Sequence, residues 1–456
     1  MHKPSSRTTP ESGLHEGAAL RISVIGCGYL GAVHAACLAS LGHEVVGIDV
    51  DAERIGLLEG GTAPFHEPGF DDVLAEATRS GRVLWTTDIA EAAGCSVHFL
   101  CVGTPQLDGS GGADLRFVHE AFDALRAHLS PGDLVVGKST VPVGTAAELA
   151  ERLHRGGSGA GLAWNPEFLR EGCAVQDTLR PDRLVYGVAD GDYRSAQVLD
   201  VVYADLLQAG VPRIVTNLET AELVKVASNA FLATKISFIN AMAALCDASG
   251  ADVLALSDAM GRDPRIGNGS LAPGLGFGGS CLGKDIRALH HRAQELGVGQ
   301  ELGLLRHVDR INQGRRELAG DLAREACGGD VDGRRVAVLG AAFKPGSDDV
   351  RDSPALAVAE MLHDEGALVT VTDPKALDNA RKQSPQLHYA EDVDAAALDA
   401  DVLLLLTDWP EYKALDPLGL TGIVRQRSVV DTRHSLDADA WRAAGWNYVA
   451  PGRPHA

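Results

Sequence analysis

Near its amino terminus the chain alternates between apolar strand-like stretches and a glycine-rich turn, in an order that one kind of fold accommodates. Residues 21–25 run into Gly26-Cys27-Gly28-Tyr29-Leu30-Gly31 and a helical stretch, and a second apolar stretch, 44–48, ends at Asp49. In a βαβ unit the first glycine makes the turn, the second lets a pyrophosphate approach the backbone, and the third lets helix and strand pack. The first part of the chain is therefore predicted to be a dinucleotide-binding Rossmann domain.

The acidic residue at the end of the second strand predicts which dinucleotide binds. Asp49 stands where a carboxylate accepts a hydrogen bond from the ribose 2′-hydroxyl and repels a 2′-phosphate. The helix N-terminus adds backbone N–H groups and partial positive charge for the pyrophosphate. We therefore expect NAD as the cofactor, with Tyr29, Leu30 and Arg54 among its contacts beside the three glycines and Asp49.

Three more strand-like stretches each end in a polar loop. Residues 97–102 lead to Thr104, residues 134–137 lead to a loop with Thr140, and residues 162–164 lead to a loop with Glu167 and Glu171. In open α/β sheets, ligands bind outside the carboxyl ends of the strands. These four side chains are therefore candidates for one cleft.

A long helical pattern follows the first domain. Residues 220–249 contain no glycine or proline, and apolar residues recur at helical spacing from Leu223 to Ile239, which predicts a broad buried side. Lys225 and Asn229 are spaced i, i+4 and therefore share a face. One lysine on a helix is usually a solvated charge, but a lysine flanked by apolar residues and paired with an asparagine can point into a site. All-α segments of this kind commonly join domains or form a dimer face.

A second glycine-rich stretch surrounds a single thiol. It reads Gly274-Leu275-Gly276-Phe277-Gly278-Gly279-Ser280-Cys281-Leu282-Gly283-Lys284-Asp285. Glycine permits positive φ and leaves no Cβ in the way, so the chain can lie close against a ligand. We expect Cys281, placed before a helix, to be exposed and electropositive, which lowers a thiol pKa. The usual alternative is a small buried hydrophobe, but the glycines and Lys284 favour a nucleophile.

The last third of the chain repeats the strand–helix alternation on a smaller scale. Apolar stretches at 336–339, 368–373, 401–407 and 428–433 predict a second βαβ domain, without a full GxGxxG. Its loops carry Lys344, Arg351 and Arg433, which suit phosphate or sugar contacts. Two nucleotide-type domains around a helical segment predict two nucleotide ligands that meet at the junction.

Composition narrows the classes of partner. The 456 residues suggest two or three domains. A net charge of -21 argues against nucleic acid and anionic membrane as partners. The chain contains no run of eighteen apolar residues, so no transmembrane helix is predicted. Residues 1–19 lack an apolar segment, so we interpret them as a disordered extension. Eight scattered cysteines without a CxxC pair indicate neither a disulfide framework nor a zinc site and fit a reducing cytoplasm.

Over about residues 20–450 the chain resembles the UDP-glucose/GDP-mannose dehydrogenase family. The motifs that carry the resemblance are GCGYLG (26–31), FHEPG (65–69), VGTP (102–105), KSTVPVGT (138–145), NPEFLREG (165–172), ELVKVASNAFLATKISFIN (222–240), GFGGSCLGKD (276–285) and FKPGSDDVRDSP (343–354). The resemblance implies an α/β fold: two Rossmann-like, doubly wound domains joined by a central all-α dimerisation segment. We expect an NAD-binding domain at 20–215, the helical segment with the cysteine loop at 216–328, and a UDP-sugar-binding domain at 329–456.

The resemblance implies a four-electron oxidation of UDP-glucose at C6 to UDP-glucuronate by NAD. Cys281 would be the nucleophile, forming a thiohemiacetal and then a thioester that water hydrolyses. Lys225 and Asn229 would stabilise the oxyanion. The remaining catalytic roles would fall to Asp285, as a base or through an ordered water, to Thr140, which would position that water, and to Glu167, which would act in hydrolysis.

The resemblance also implies binding contacts, a cytoplasmic location and a homodimer or higher homo-oligomer, with no metal. Further cofactor contacts would come from Thr104, Thr140, Glu171, Lys284 and Arg351. Substrate contacts would come from Glu167, Phe168, Leu169, Lys225, Asn229, Arg265, Phe277, Gly278, Cys281, Phe343, Lys344 and Arg433. Of these, Arg265 would reach the sugar bound in the partner subunit.

Two alternatives on substrate stay open within the family: GDP-mannose, or a UDP-N-acetylhexosamine. The chain departs from the family's usual residues beside the sugar pocket, at Asn268-Gly269-Ser270 and at Leu282-Gly283. Residues 180–187, RPDRLVYG, look more like the UDP-glucose branch.

Two alternatives lie outside this chemistry. A non-catalytic nucleotide-sugar-binding protein should have lost Cys281, Lys225 or Asp285, and all three are present. A two-electron hydroxyacid dehydrogenase of the 6-phosphogluconate type needs neither the loop cysteine nor a second α/β domain.

Overall fold

A computed structural model of the protein describes residues 19–453, so the predicted disordered extension, apart from Ala19, lies outside the described residues. The strands are β1 Arg21–Ile25, β2 Glu44–Ile48, β3 Val83–Thr86, β4 Val97–Leu100, β5 Leu134–Gly137, β6 Gly161–Trp164, β7 Leu184–Val188, β8 Arg213–Thr216, β9 Arg335–Leu339, β10 Leu368–Thr372, β11 His388–Tyr389, β12 Val402–Leu405, β13 Ser428–Asp431 and β14 Asn447–Val449.

Helices cover both sheets and fill the segment between them. They are α1 Tyr29–Ser40, α2 Ala52–Glu59, α3 Phe70–Ser80, α4 Arg116–Arg126, α5 Thr145–Arg155, α6 Ala174–Leu179, α7 Tyr193–Val202, α8 Ala204–Gln208, α9 Leu218–Ser249, α10 Val253–Gly261, α11 Leu282–Glu295, α12 Leu304–Ala326, α13 Pro354–Asp364, α14 Leu377–Gln383, α15 Val393–Ala397, α16 Pro410–Lys413, α17 Pro417–Leu420 and α18 Ala438–Ala443, with a 3-10 turn at Ile89–Ala92.

The first sheet has eight strands in the order β3-β2-β1-β4-β5-β6-β7-β8. All neighbouring pairs are parallel except β6 with β7. Strands β4 and β5 are buried along their whole length and, apart from His98 in β4, apolar, as expected where helices cover both faces of a parallel sheet. The strand order reverses between β1 and β4, and the carboxyl ends at such a reversal form a ligand crevice.

The second sheet repeats this plan with six parallel strands in the order β11-β10-β9-β12-β13-β14. Its reversal lies between β9 and β12. The prediction of two doubly wound domains with a helical segment between them is therefore confirmed.

Helix α9 is the central element of the middle segment. It packs against β7, α11 and α12, and the Asn217 side chain caps its first turn by accepting from the Thr220 N–H. The prediction that Leu223 is buried was wrong, because its side chain is 41% exposed.

Of the described helices, α9 alone has the length and apolar composition that could cross a bilayer, with a mean hydropathy of 1.3 over its most apolar window. Its buried Glu222, Lys225 and Asn229 make polar contacts to neighbouring elements of the same chain. These contacts identify α9 as a core helix of the fold.

The turn between β1 and α1 depends on one glycine. A Cβ at Gly31 would lie 1.8 Å from the carbonyl oxygen of Gly26 and 3.2 Å from the Cβ of Cys101. The close contact of α1 with β1 and β4 is therefore possible only without a side chain at residue 31.

Gly31→Ala is expected to lower the free energy of unfolding by about 1–3 kcal/mol or more, since the methyl group must displace backbone in a packed core. Gly56→Ala in α2 is the matched control, because no atom lies within 4 Å of a Cβ there and the helix should gain up to about 1 kcal/mol. Urea denaturation followed by circular dichroism measures both. Equal midpoints for the two variants would contradict this account of the turn.

Candidate active site

One cleft joins the carboxyl ends of the first sheet to the cysteine loop. A cavity of about 510 Å³ extends from Gly28 in the glycine-rich turn past Thr104 and Thr140 to Cys281. Glu167, Glu171, Lys284 and Arg351 also line it. The structure thus brings together side chains that are far apart in the sequence.

The glycine-rich end of this cleft fits NAD. A Cβ at Gly28 would meet no atom within 4 Å, so the turn is open to a ligand. The Asp49 carboxylate accepts from the Cys27 N–H at 2.7 Å, which holds it beside the turn. Arg54 lies 3.2 Å from both Asp49 and Asp51. Because two carboxylates face one guanidinium, net negative charge remains where the ribose would bind, and this charge disfavours a 2′-phosphate.

A second cavity, of about 450 Å³, adjoins the first and shares Glu167 and Leu169 with it. Phe168, Lys225 and Asn229 line this second cavity. Five of the predicted substrate contacts therefore surround one space.

Two ion pairs and an amide contact lie in and beside the walls of the two cavities. Lys225 lies 2.8 Å from Glu167, and Lys284 lies 2.8 Å from Asp285. The Asn229 amide donates to Asp285 at 2.7 Å. Because Asp285 is 1% exposed and both of its oxygens are engaged, it orients Asn229 and Lys284 from beneath.

The electrostatics of Lys225 suit the stabilisation of negative charge. Burial disfavours its charged form, but the adjacent Glu167 carboxylate, together with Cys281 and Asp285, outweighs burial and raises the pKa of Lys225. The side chain is therefore a cation at neutral pH.

The prediction that the surroundings of Cys281 lower its pKa was wrong. Cys281 is exposed to the cleft, as predicted, but the surrounding protein removes much of the water from its thiol. Desolvation raises the pKa of Cys281, and the carboxylates of Glu167 and Asp285 raise it further, whereas Lys225 and a hydrogen bond with Ser280 lower it. Desolvation and two carboxylates together outweigh one nearby cation and the Ser280 hydrogen bond, so the thiol form predominates at neutral pH.

The C-terminal domain presents two cations towards the junction. Burial lowers the pKa of Lys344, whose ammonium lies 5.3 Å from the centroid of the Phe343 ring. The Arg433 guanidinium donates to the carbonyls of Leu406 at 2.7 Å and Gly276 at 3.2 Å. Its remaining terminal nitrogen is buried and has no hydrogen-bond partner among the described residues, so it is available to an anionic ligand.

Arg351 is already paired with carboxylates. It lies 2.6 Å from Asp349 and 3.6 Å from Glu171. Burial and the charge of Asp349 raise the pKa of Glu171 to about 7, while Arg351 and Lys344 oppose that shift. The predicted cofactor contacts Glu171 and Arg351 are thus coupled to each other across the two domains.

Six predicted substrate contacts line neither cavity: Phe343, Lys344 and Arg433 of the C-terminal domain, and Arg265, Phe277 and Gly278. Arg265 is exposed and pairs with its neighbour Asp263 at 2.5 Å. The Phe277 ring packs in an apolar cluster with Ala230 and Leu305. A Cβ at Gly278 would lie 2.4 Å from the Asp352 carbonyl oxygen, so this glycine is required by the close approach of the C-terminal domain.

Sequence reasoning missed Glu67, which is 3% exposed. Its carboxylate accepts from the backbone N–H groups of Gly172 at 2.6 Å and Ala174 at 2.7 Å, and from the hydroxyl of Tyr29. It therefore links the glycine-rich turn to the loop that carries Glu167. The FHEPG motif that contains it was the available signal.

Lys138 was also missed. It is 7% exposed and donates to Asn165 at 3.0 Å, and burial lowers the pKa of Lys138 to about 8. The signal was its place in the KSTVPVGT motif, at the end of a buried strand.

Asp285→Asn is expected to lower the pKa of Cys281 and to speed its alkylation by iodoacetamide at pH 7.5 by roughly two- to tenfold, because one carboxylate that opposes the thiolate is neutralised. A Cys173→Ser background removes the other exposed thiol. Glu317→Gln, on the exposed side of α12, is the control and should leave the rate unchanged. Peptide mass spectrometry across pH 6.5–10 measures the profile, and an unshifted profile would contradict this electrostatic account.

Comparison with known proteins supports the same assignment across the chain. Models of the UDP-glucose/GDP-mannose dehydrogenase family match residues 20–207 as the NAD binding domain, residues 219–314 as the central domain and residues 337–438 as the UDP binding domain. A UDP-glucose 6-dehydrogenase of Rhizobium meliloti (strain 1021) is 42% identical over 95% of this chain and all of its own length.

Two solved structures are similar as well. A UDP-glucose dehydrogenase from the archaeon Pyrobaculum islandicum matches with a TM-score of 0.87 at 38% identity, over 99% of this chain and 100% of its own. A UDP-D-ManNAc dehydrogenase from Pyrococcus horikoshii matches with a TM-score of 0.84 at 28% identity, over 96% of this chain and 100% of its own. The chain therefore belongs to the UDP-glucose/GDP-mannose dehydrogenase family.

Proposed function

We propose that the protein oxidises UDP-glucose at C6 to UDP-glucuronate with NAD as the oxidant, through covalent intermediates on Cys281. The observation that carries the proposal is the placement of Cys281 in a cleft beside the Lys225–Glu167 pair. This constellation supplies a nucleophile, a cation for an oxyanion and a carboxylate for proton transfer. An ordinary alcohol dehydrogenase has no use for the thiol.

Each domain has a separate binding task in this proposal. Residues 20–215 hold NAD through the open turn at Gly28 and through Asp49. Residues 216–328 supply Lys225, Asn229 and the thiol loop. Residues 329–456 hold the uridine diphosphate, with Lys344 and the free nitrogen of Arg433 towards its phosphates.

When bound, NAD supplies the acceptor for the hydride that leaves C6 in each of the two oxidations. Lys225, held as a cation by Glu167, stabilises negative charge on the C6 oxygen, and Asn229, oriented by Asp285, donates to the same oxygen. These groups are in place before the substrate arrives, so little reorganisation is needed during the reaction.

Cys281 keeps the intermediate in the site. Its sulfur adds to the C6 aldehyde and the thiol proton passes to the oxygen, giving the thiohemiacetal; loss of a hydride and the hydroxyl proton then gives the thioester. Water attacks the thioester carbon, the C–S bond breaks and the thiol is regenerated. Glu167 accepts a proton from that water, and Thr140 positions it. Because the free thiol has a raised pKa, it adds more effectively when Asp285 or Glu167 takes its proton and passes it on to the thiohemiacetal oxygen.

UDP-glucose is favoured over the alternatives within the family. The more similar relatives act, by name, on UDP-glucose, whereas the relative named for an N-acetylated sugar nucleotide is less similar. The intact set of Cys281, Lys225 and Asp285 argues against a non-catalytic binding protein. The eight cysteines are all free thiols, which fits the cytoplasmic location that we propose.

A homodimer completes the proposed assembly. Phe231, Phe238 and Leu245 recur every seven residues along α9 and are 67%, 45% and 59% exposed, so they form an apolar stripe that fits a second copy of the helix. Lys235 donates to the carbonyls of Ile266 and Gly267 at 3.0 and 3.2 Å. This contact ties the loop that carries Arg265 to the same helix, from which Arg265 reaches the sugar site of the other subunit.

The stoichiometry of NADH tests the reaction. Limiting UDP-glucose with excess NAD should give two NADH per sugar nucleotide, measured at 340 nm, with UDP-glucuronate as the product by chromatography. Cys281→Ser should yield no more than one, whereas Cys173→Ser, at the other exposed thiol, should match the wild type. One NADH from the wild-type protein would contradict the role of Cys281, and two NADH only from GDP-mannose or UDP-N-acetylglucosamine would move the specificity.

The oligomeric state tests the apolar stripe. Light scattering should give about twice the chain mass of 47.8 kDa for the wild type. Phe238→Glu with Leu245→Glu should give the monomer mass, because charges replace the centre of the stripe. Glu317→Lys, on the exposed side of α12, should leave the dimer intact. A wild-type monomer, or an unchanged double variant, would contradict the proposed interface.

A further inference from the structure

The loop before Cys281 has no regular structure of its own. Residues 274–280 lie outside the helices and strands, and four of these seven residues, Gly274, Gly276, Gly278 and Gly279, are glycines, which have the largest conformational entropy to lose. A thiol that reacts with one carbon atom needs a fixed position. Contacts from other elements must therefore fix this loop.

Asn312 of α12 makes the most specific of these contacts. Its amide oxygen accepts from the Phe277 N–H at 2.8 Å, and its amide nitrogen donates to the Phe277 carbonyl at 2.8 Å. Asn312 is 1% exposed, so neither bond competes with water. The side chain thus pairs with the loop backbone as a neighbouring strand would.

The same face of α12 makes a second contact with the loop. Arg315, one turn after Asn312, donates to the Gly274 carbonyl at 2.9 Å and is also buried. From α9, Asn240 accepts from the Gly274 N–H at 2.8 Å. Two helices therefore hold the start of the loop through buried polar side chains.

One glycine of the loop is explained by Asn312 itself. A Cβ at Gly276 would lie 2.3 Å from the Asn312 amide oxygen, and Gly276 has φ +87. The Gly276 carbonyl accepts from Arg433 of the C-terminal domain at 3.2 Å. The residue beside the Asn312 contact is thus also one of the points where the C-terminal domain touches the loop.

We propose that Asn312 is a positioning residue of the reaction site: its two hydrogen bonds to Phe277 set the loop that presents Cys281 and meets Arg433. The inference rests on the proposed function for its link to turnover. Asn312 lines neither cavity, so it acts through the loop. We therefore expect Asn312 to affect the position of the thiol and the binding of the sugar nucleotide, but not the affinity for NAD at the glycine-rich turn.

The test compares Asn312→Asp with Asn312→Ala and with Glu317→Gln on the exposed side of the same helix. Asn312→Asp keeps the shape but replaces a donor with an oxygen that faces the Phe277 carbonyl. Each Asn312 variant should lower kcat/KM for UDP-glucose by about tenfold or more, while NAD affinity, measured by calorimetry, changes by less than about twofold. Glu317→Gln should match the wild type in both.

A purely structural role for Asn312 would show a different pattern. It would lower the melting temperature and affect NAD and UDP-glucose equally, and that outcome would overturn the proposal, as would folded Asn312 variants with unchanged kinetics. If Asn312→Ala does not fold, Asn312→Asp and Gly276→Ala carry the test. Gly276→Ala should reproduce the selective loss, since its Cβ displaces the Asn312 amide, and should cost less in an Asn312→Ala background.

A second readout separates this proposal from the proposed reaction. In a Cys173→Ser background, the pH profile for iodoacetamide labelling of Cys281 should shift in the Asn312 variants, because a displaced loop changes the distances from the thiol to Glu167, Asp285 and Lys225. This measurement needs no turnover. An unshifted profile would overturn the positioning role even if the protein oxidises UDP-glucose, and a shifted profile would support it even if the substrate is another sugar nucleotide.

Discussion

The ion pair between Glu167 and Lys225 is the interaction on which the site depends. It joins the loop after β6 to α9 at 2.8 Å, where the two cavities meet. The pair keeps Lys225 charged despite burial, and a buried charge without a partner would cost several kcal/mol, of the order of 3–5. Without this pair the site would lose its cation, and the first domain would lose a fixed contact with the central segment.

The groups around the Cys281 thiol shift its pKa in opposite directions. Desolvation, Glu167 and Asp285 raise the pKa of Cys281, while Lys225 and Ser280 lower it. A permanently ionised thiolate would be exposed to oxidation and to chance electrophiles, whereas a thiol beside two carboxylates can lose its proton when the aldehyde is present. The same carboxylates are held by Lys225, Lys284 and Asn229, so in the proposed mechanism one network sets both the cation for the oxyanion and the protonation state of the nucleophile.

The C-terminal domain makes close contacts with the backbone of both the first domain and the cysteine loop. Gly278 lies against Asp352, Gly172 lies against Gly346, and Arg433 donates to Gly276. Close approach of two backbones requires glycine, which explains why the loops at the junction are glycine-rich. The arrangement holds the cysteine loop between the domain that is proposed to bind the sugar nucleotide and the helices that carry the proposed catalytic groups.

The sequence by itself predicted five of the eight strands of the first sheet, four of the six strands of the second and the long helix, because strand and helix periodicity and glycine-rich turns are local properties of the chain. Its motifs also brought the proposed catalytic residues to notice before any coordinates. Only the tertiary structure decided the rest. The pKa of Cys281 depends in part on the Glu167 carboxylate, which is more than a hundred residues away in the sequence. Phe277 packs in an apolar cluster, and Arg265 lies outside both cavities. Asn312 and Glu67 contact loops that are distant from them in the sequence. Electrostatics, burial and hydrogen bonding depend on distances through space, which no local pattern in the chain records.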